Sequence, residues 1–493
     1  MLPLFILIAL LSAFVIAIFG RKSSLFSDVV ASVSTFILFV ISLMVLYQFN
    51  KEGVIIYKVG GWIPPIGICL VLDGFSAFML VILNFIAFLV CLYSTAYMNK
   101  YTDKFRFYSL FLLMVSGMNG VILTGDIFNL YIFLEIAFVA ASALVAFGTE
   151  TENFEAAFKY IVMGTVASCF ILLGIGLLYS LTSSLNLADI SLSLVSQGNT
   201  LVVLFISILF ITGVGLKAGL VPFHAWLPDG YQSAPTPAST MFAGALTKVL
   251  GVYTLFRIFF NVFGPTHLML NILMFLGGLS LLVGVFLAIG QRDFKRLLAY
   301  DSISQIGYAI VGVSTGVPLG IIGGLFHLFN HSMFKSLLFF DAGAVEYSTK
   351  SKELNKLGGL KEKMPVTFFT SWIASMSVSG IPPFSGFWSK LIIILACVQT
   401  NHIGYAIVAV IGSMVTLALF MKVHKSIFFG KLNPSFNDIK EVPFVMKFCM
   451  IVLVVFCIFG GLLILPKVSS KFIKPAADAL AAGRQYSVAV LGR

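Results

Sequence analysis

The chain has 493 residues, of which 59% are hydrophobic and only 10% are charged. Soluble domains are roughly one quarter charged, so this composition excludes a soluble globular protein. Apolar runs of about 20 residues recur along the whole chain, and each is long enough to span a hydrocarbon core. We predict an all-α polytopic membrane protein, since runs of this length satisfy their backbone hydrogen bonds in lipid by forming helices.

Hydropathy divides the chain into about fourteen predicted transmembrane helices. No basic residue precedes the first apolar run and Arg21–Lys22 follows it, so we expect a retained span and not a signal peptide. Gly and Pro in KVGGWIPPIGICLVLDG, after the second span, predict an ordered external loop or hairpin. Residues 471–493 are expected to form a surface-lying amphipathic helix or a frayed tail. The predicted spans are 2–20, 28–49, 73–98, 107–124, 127–147, 155–180, 201–221, 236–261, 268–289, 296–314, 318–346, 366–398, 402–424 and 443–465.

The lysines and arginines outside the spans fall mostly on one side of this topology. With the N-terminus outside, the inner loops collect most of them, including the cluster at 350–363, and Arg257 counts among the few on the outer side. The positive-inside rule therefore favours an outside N-terminus. The net charge of +11 follows from this topology, and it gives no reason to invoke nucleic acid.

Cysteine usage and glycine patterns argue against a resident cofactor. The six cysteines form no CxxC pair, and most lie in apolar runs, so we interpret them as small apolar side chains. The chain has no Rossmann glycine pattern, P-loop or cysteine cluster. We therefore predict that the protein holds no redox cofactor, and that the energy for any transport comes from partner subunits or from another ion's gradient.

Four lysines fall inside predicted spans: Lys217, Lys248, Lys335 and Lys390. Each charge at the bilayer centre costs about 2.5–3.5 kcal/mol on insertion scales, so the chain must offer these side chains a polar interior. Snorkelling from a span end is the alternative, and it fits Lys335 better than the other three. We favour a functional interpretation, because intramembrane ionisable residues mark ion and proton paths.

Acidic residues are scarcer than lysines at this depth. Glu135 is the only glutamate near the middle of a predicted span, and Asp126, which opens the same span, is interpreted as a helix N-cap. Asp301 lies about one turn inside the tenth span, and the pattern leaves its role open between cap and functional group. One central carboxylate cannot pair four lysines, so we expect some of the lysines to exchange protons.

A histidine stripe lies in the sequence FHLFNHSMFKSLLFF. His327, His331 and Lys335 are spaced i, i+4 and i+8, which places them on one face of a helix. Two histidines at this spacing can bind zinc, but no carboxylate or thiolate accompanies them, so we predict no metal. A stripe of this kind inside a span indicates a chain of titratable groups that can relay protons.

Two predicted spans contain helix breakers. Pro222 interrupts the seventh span just after Lys217, and Pro382–Pro383 interrupts the twelfth. Such breaks are tolerated in a membrane only where protein or a water-filled cavity satisfies the freed carbonyls, and we expect these carbonyls to solvate the Lys217 ammonium. PFHAW and PFSGFW follow the two breaks, which predicts an internal repeat of spans 4–8 and 9–13. The predicted division is 1–106, 107–261, 268–424 and 425–493.

Five stretches together resemble the antiporter-like subunits of the complex I superfamily. This family includes the D-type component of Mrp sodium/proton antiporters and its counterparts in membrane-bound hydrogenases, and those two branches look most similar to GGWIPPIGICLVLDG and TGDIFNLYIFLE. The histidine pair is more similar to the complex I or hydrogenase branch. The stretches are TGDIFNLYIFLE, GLKAGLVPFHAWLPDGYQSAPTPAS, LLAYDSISQIGY, HLFNHSMFKSLLFF and GIPPFSGFWSK.

The resemblance implies fourteen helices with two inverted five-helix repeats, in the plasma membrane of a prokaryote. It also implies other membrane subunits as partners and a proton path along the middle of the membrane. Asp301 departs from the Ser, His or Asn of the family, and it adds an acid to the C-terminal half. The residues that match the path, with Lys335 from the stripe, are Glu135, Lys217, Lys248, His327, His331, Lys335 and Lys390.

Three functions remain open at this stage. The first is a proton-translocating subunit of a multisubunit complex, of the Mrp, hydrogenase or NADH-quinone oxidoreductase type. The second is a stand-alone Na⁺/H⁺ secondary antiporter, and the third is a quinone-reactive redox enzyme. The third lacks cofactor ligands in the sequence. The first two share every motif, and the sequence leaves open whether sodium moves.

Overall fold

The structure, a computed structural model, describes residues 1–101, 103–148, 150–198 and 200–492. It is a bundle of helices with one small hairpin, which confirms the all-α membrane fold. The helices are α1 (Leu4–Phe19), α2 (Ser24–Glu52), α3 (Gly74–Tyr97), α4 (Lys104–Leu123), α5 (Ile127–Val145), α6 (Thr151–Thr182), α7 (Leu187–Gln197), α8 (Leu201–Ala218), α9 (Trp226–Ser233), α10 (Thr236–Val262), α11 (His267–Ile289), α12 (Phe294–Ser314), α13 (Pro318–Thr349), α14 (Pro365–Ser379), α15 (Ser385–Gln399), α16 (Ile403–Ile427), α17 (Phe444–Phe459), α18 (Pro466–Ser469), α19 (Ile473–Ala481) and α20 (Tyr486–Leu491).

Eleven helices in the described residues are long and apolar enough to cross a membrane. The other three predicted spans correspond to α12, α13 and the pair α14–α15. Charged residues inside α12 and α13 lower their hydropathy, and a break divides the twelfth span into two shorter helices. The structure therefore confirms the multi-pass architecture, and the count of fourteen spans stays a prediction.

The centre of the bundle is α10, in which every residue is buried. It contains three π-helical stretches, Phe242–Leu246, Lys248–Tyr253 and Arg257–Val262. Because this helix has no lipid-facing side, it can carry polar side chains without exposing them to hydrocarbon. Short π-helical insertions occur frequently at functional sites, which directs attention to Lys248.

Both predicted breaks are present, and they have the same form. α8 ends at Ala218, Gly219 adopts a left-handed φ of +68°, and the chain turns through Pro222 before α9 begins. In the second break α14 ends at Ser379, and Gly380 adopts a φ of +76° before α15 begins. Each break lies in the fourth span of a predicted five-span set. The inverted-repeat relation between the two sets, like the predicted division of the chain, stays a prediction.

The ends of the bundle differ in part from expectation. The predicted hairpin is present: β1 (Ile55–Lys58) and β2 (Cys69–Leu72) pair antiparallel, with Ile55 opposite Leu72. The short helix α7, which Asn186 caps through its side chain, was not predicted. It is too short for the 3.6-residue pattern to distinguish it from a loop.

The C-terminal tail forms short helices that pack on the bundle, so the frayed-tail interpretation is wrong. Ile473 and Leu480 of α19 are fully buried, and the Phe472 ring lies 4.9 Å from that of Phe78 in α3. The tail covers a buried ion pair in which the Arg257 guanidinium donates to both carboxylate oxygens of Asp73, at 2.6 and 2.8 Å. Arg257 is therefore a buried partner and not an outer-surface charge.

Candidate functional site

The first cluster joins three helices around one carboxylate. Lys217 of α8 lies 3.1 Å from Glu135 Oε1 of α5, and its ammonium donates to Ser168 Oγ of α6 at 3.0 Å. Ser168 in turn donates to Glu135. The Lys217 side chain is 3% exposed and that of Glu135 is 26% exposed. The ammonium also lies 4.3 Å from the centre of the Phe138 ring, which adds a cation–π contact.

The break after α8 does not solvate Lys217 as expected. The Leu216 carbonyl accepts hydrogen bonds from Trp226 Nε1 at 3.0 Å and from the backbone N–H of Gly219 at 3.1 Å. The lysine turns instead towards Glu135 and Ser168. A cavity of about 20 Å³ adjoins Lys217 and reaches Thr247 of α10. One water needs about 10–15 Å³ measured in this way, so the cavity has room for a water between Lys217 and α10.

Lys248 lies in the middle of α10, and its neighbour Thr247 lines this cavity. It is fully buried, and its ammonium donates to the backbone carbonyl of Ala243 in the same helix. Among the described residues no carboxylate lies within ion-pair distance of it. Lys335 and both stripe histidines lie within electrostatic range of Lys248.

The histidine stripe faces the interior along α13. His327 Nδ1 lies 3.0 Å from Ser389 Oγ of α15, and the two imidazole rings are 6.3 Å apart. Within the described part of the chain, His327 Nε2 and both ring nitrogens of His331 have no hydrogen-bond partner. Buried polar atoms of this kind are normally satisfied by ordered water. The stripe is therefore suited to a hydrated line of exchangeable protons.

Lys335 does not snorkel. It is fully buried and forms an ion pair of 2.5 Å with Asp301 of α12, while a second hydrogen bond of 3.0 Å reaches the Leu298 carbonyl. Asp301 also accepts from Gln305 Nε2 at 3.2 Å. Asp293 caps α12, so Asp301 is not the cap and does supply an acid to the C-terminal half.

Lys390 lies on α15, beside the second break. Its ammonium donates to the Val378 carbonyl, which the break frees, at 2.7 Å and to Ser413 Oγ at 3.3 Å. The Tyr308 ring centre lies 4.4 Å away. A groove of about 250 Å³ between α15 and α16 reaches this side chain. Here the freed carbonyl does hold an ammonium.

Sequence reasoning missed several polar groups of the interior. Asp341 of α13 is fully buried, and Ser168 completes the Glu135 cluster. Glu346 accepts hydrogen bonds from Tyr97 and Thr236, at 3.2 and 3.0 Å. A count of acids within the predicted span 318–346 would have found Asp341 and Glu346, but nothing in the sequence brings Ser168 to Glu135. The described residues contain no group of three His, Cys, Asp or Glu that could hold a metal.

A helical membrane bundle with broken helices and a line of buried acid, lysine and histidine side chains defines an antiporter-like membrane protein. A family model described as "NADH:quinone oxidoreductase/Mrp antiporter, TM" matches residues 124–416, and one described as "NADH-Ubiquinone oxidoreductase (complex I), chain 5 N-terminus" matches residues 62–108. The chain belongs to this family of NADH:quinone oxidoreductase and Mrp antiporter subunits.

Curated relatives and solved structures agree with this family. The chain is 32% identical to the D-type component of a Na(+)/H(+) antiporter of Alkalihalophilus pseudofirmus, over 86% of both chains. It is 37% identical to the N-type component of an NADH-quinone oxidoreductase of Desulforudis audaxviator, over 78% of both. A chain of the Mrp complex from Dietzia sp. superimposes with a TM-score of 0.92 at 27% identity, covering 100% of this chain and 99% of that one. A chain of an archaeal membrane-bound sulfane sulfur reductase gives 0.89 at 30% identity, covering 99% of both.

Proposed function

We propose that this chain is the proton-translocating, antiporter-like subunit of a multisubunit complex in a prokaryotic plasma membrane, with its N-terminus outside. The observation that carries the proposal is the buried Lys217, held by a carboxylate and a hydroxyl from two other helices. Such an ion pair has two states, paired and separated. A transporter needs a site of this kind, because a proton bound equally well throughout the cycle would not move.

The path begins at the Glu135 cluster and crosses the centre of the bundle. When Glu135 holds Lys217, the nearby negative charge keeps the proton on the lysine. When the pair separates, that stabilisation is lost, and the proton passes through the cavity beside Thr247 to Lys248. From Lys248 the proton moves to His331 and then to His327. The proposed proton-transfer residues are Glu135, Lys217, Lys248, His327, His331, Lys335 and Lys390.

Two features of the C-terminal half support this direction of the path. While Asp301 holds Lys335, the charge of Lys335 repels a proton on the histidines, and Lys335 passes on its own proton only when the pair separates. Lys390 is bound only by a carbonyl, a hydroxyl and an aromatic ring among the described residues, and it adjoins the groove between α15 and α16. This arrangement suits a terminal donor that releases its proton to water.

The partners are inferred from the relatives. The two solved structures carry the names of an Mrp complex and an archaeal respiratory complex, and the chain covers almost the full length of the matching chain in each. We therefore propose that other membrane subunits surround this chain and that a cation such as sodium or a redox reaction drives proton movement. The 37% identity to a component of an NADH-quinone oxidoreductase favours, as the alternative, a place in a complex of that type.

Substitution of the central pair tests the function. We expect Glu135→Ala and Lys217→Ala to abolish proton transport by the complex while it still assembles, because each removes one state of the switch. Proton movement in membrane vesicles is the measurement, and co-purification of partner subunits in mild detergent is the assembly control. Full transport by either variant would show that the pair is only structural. Purification of the chain alone in an active form would instead support a stand-alone antiporter.

A further inference from the structure

A ladder of buried hydroxyls runs along α14 and α15, and the proposed path does not use it. Its members have side chains with no exposed surface. Buried hydroxyls in such number require partners, and several of them contact titratable groups of neighbouring helices. The ladder consists of Thr367, Thr370, Ser377, Ser385 and Ser389.

The ladder begins at a carboxylate outside the helices. Glu441, in the segment before α17, is half-buried, and its Oε1 accepts a hydrogen bond of 2.7 Å from Thr367 Oγ1. Its Oε2 accepts from the backbone N–H groups of Val366 and Thr367, at 2.9 and 3.2 Å. In the topology proposed above, this end of α14 faces the inner side. A partly exposed carboxylate there can exchange protons with inner water.

One turn into α14 the ladder reaches Asp341. Thr370 Oγ1 lies 2.6 Å from Asp341 Oδ1 and 3.1 Å from the Thr367 carbonyl, so its hydroxyl can point either way along the helix. Asp341 is fully buried, and its Oδ2 has no partner within the described part of the chain.

The groups that face Asp341 supply no positive charge. Glu441, Tyr93 of α3 and Cys457 of α17 lie within electrostatic range of it, and no ion pair with a lysine or arginine occurs among the described residues. A carboxylate without a counter-charge is costly to bury, so the site favours a protonated carboxyl.

The far end of the ladder meets the histidine stripe. Ser377 Oγ and Ser385 Oγ lie 3.3 Å apart across the break between α14 and α15. One turn further, Ser389 Oγ lies 3.0 Å from His327 Nδ1. From Thr370 to Ser377 the helix rises roughly 10 Å, which waters would have to bridge. Asp341 Oδ2 and Ser371 Oγ, both buried without a partner among the described residues, are suitable contacts for such waters.

We propose that Asp341 is a proton-loading site that connects the inner surface, through Glu441, Thr367 and Thr370, to the histidine stripe. A proton enters at Glu441, passes the two threonine hydroxyls and resides on Asp341. It leaves along the serines to His327. This branch rests on the proposed function, since it delivers protons to the same stripe.

The test measures proton transport by the complete complex in vesicles, with the pH on each side set separately. We expect Asp341→Asn, which keeps the shape but cannot titrate, to slow transport by at least about tenfold. The remaining rate should lose its dependence on inner pH and keep its dependence on outer pH. Asp341→Glu should restore the inner-pH dependence, whereas a merely structural role would not respond in this way.

Two equally buried threonines provide a second test variant and a matched control. Thr370→Val removes the hydroxyl beside Asp341 at constant volume, and it should reproduce the loss of inner-pH dependence. Thr416→Val of α16 serves as the control, because Thr416 is equally buried but bonds only to the Gly412 carbonyl of its own helix, at 2.7 Å. If Asp341→Asn prevents assembly, Thr370→Val alone decides the question.

The outcomes separate the branch from the proposed function. Parental transport and pH dependence in Asp341→Asn or in Thr370→Val, combined with loss of transport in Lys217→Ala, would overturn the branch alone. Parental transport in Lys217→Ala would overturn the proposed function itself. A third outcome would also overturn the branch. If Asp341→Asn lowers proton transport by the same factor at every inner and outer pH, and Thr416→Val lowers it equally, the two residues serve only in packing.

Discussion

Two of the four membrane lysines are paired with carboxylates, and two are held by backbone carbonyls. Glu135 and Asp301 hold Lys217 and Lys335, whereas Lys248 and Lys390 donate to carbonyls of Ala243 and Val378. A carboxylate partner retains a proton on the lysine far better than a neutral carbonyl does. Lys217 and Lys335 can therefore release a proton only when their ion pairs separate, whereas Lys248 and Lys390 need no such separation.

Lys390 provides a test of the terminal site. Lys390→Ala should lose nearly all transport because it removes the titratable group. Lys390→Glu should retain partial activity, because a glutamate there still loads and releases a proton although it is neutral when loaded. Proton transport at matched expression is the measurement. Parental activity in Lys390→Ala would remove Lys390 from the path, and complete loss in both variants would mean that the positive charge itself is required.

The Asp301–Lys335 pair can be tested for folding and transport separately. Removal of one partner from a fully buried ion pair costs about 3–5 kcal/mol, whereas replacement of both by apolar residues is often neutral. We expect Lys335→Met to lower the thermal stability of the complex and Asp301→Leu combined with Lys335→Met to recover much of it. Transport should stay impaired in the double variant. Recovered transport would assign the pair a structural role only.

At the scale of the helices, the two breaks were predictable and their contacts were not. Proline and glycine in VGLKAGLVPFHAW and SGIPPFSGFW indicate the breaks, because neither residue suits a helix interior. Which carbonyl binds which donor depends on how the chain folds back after the break. The Leu216 carbonyl accepts from Trp226, 10 residues further along, and not from Lys217, whereas the Val378 carbonyl accepts from Lys390, 12 residues further along.

The tail helix α19 closes one end of the bundle next to Asp73. Burial acts to raise the pKa of the Asp73 carboxyl, but the Arg257 guanidinium outweighs it and holds the pKa below its ordinary value. The pair therefore stabilises the protein at neutral pH, and this contribution is lost only as the pH falls through the lowered pKa. Asn261 ties the tail to α10 through the carbonyls of Ala479 and Gly483, at 2.9 and 3.1 Å.

This packing predicts the effect of substitutions in α19. Leu480→Ala should destabilise the protein by about 2–5 kcal/mol, because it removes a fully buried side chain from a packed site. Lys474→Ala changes an exposed position of the same helix and should have little effect. Thermal unfolding of the purified protein is the measurement. Equal melting temperatures for the two variants would mean that the tail is not held by its buried face.

At the scale of the whole molecule, hydropathy predicted the spans because lipid imposes length and apolarity on a helix. It also predicted the charged spans 296–314 and 318–346, which correspond to α12 and α13. It did not predict the short α7, which has too few turns to show a pattern. Arg257 was assigned to the outer surface because the sequence does not show that Asp73 and the tail enclose it.

The proposed site was predictable in its residue types and not in its connections. Lysines inside apolar runs stand out in any sequence, and the histidine spacing fixes a common face. The partners Ser168 and Asp301 come from other helices, 49 and 34 residues away from Lys217 and Lys335, so only the folded chain pairs them. Asp341 is different, because its place within a predicted span was visible in the sequence and was passed over.

The unequal number of acids and bases in the interior has a consequence for timing. If all four lysines were protonated, Glu135 and Asp301 would neutralise only two of them, and Lys248 and Lys390 would remain as uncompensated charges in a medium that screens poorly. Lys335 lies within electrostatic range of both, so its positive charge raises the energy of a proton at either site. We therefore expect Lys248 and Lys390 to hold a proton only briefly, which suits them to transfer and not to storage.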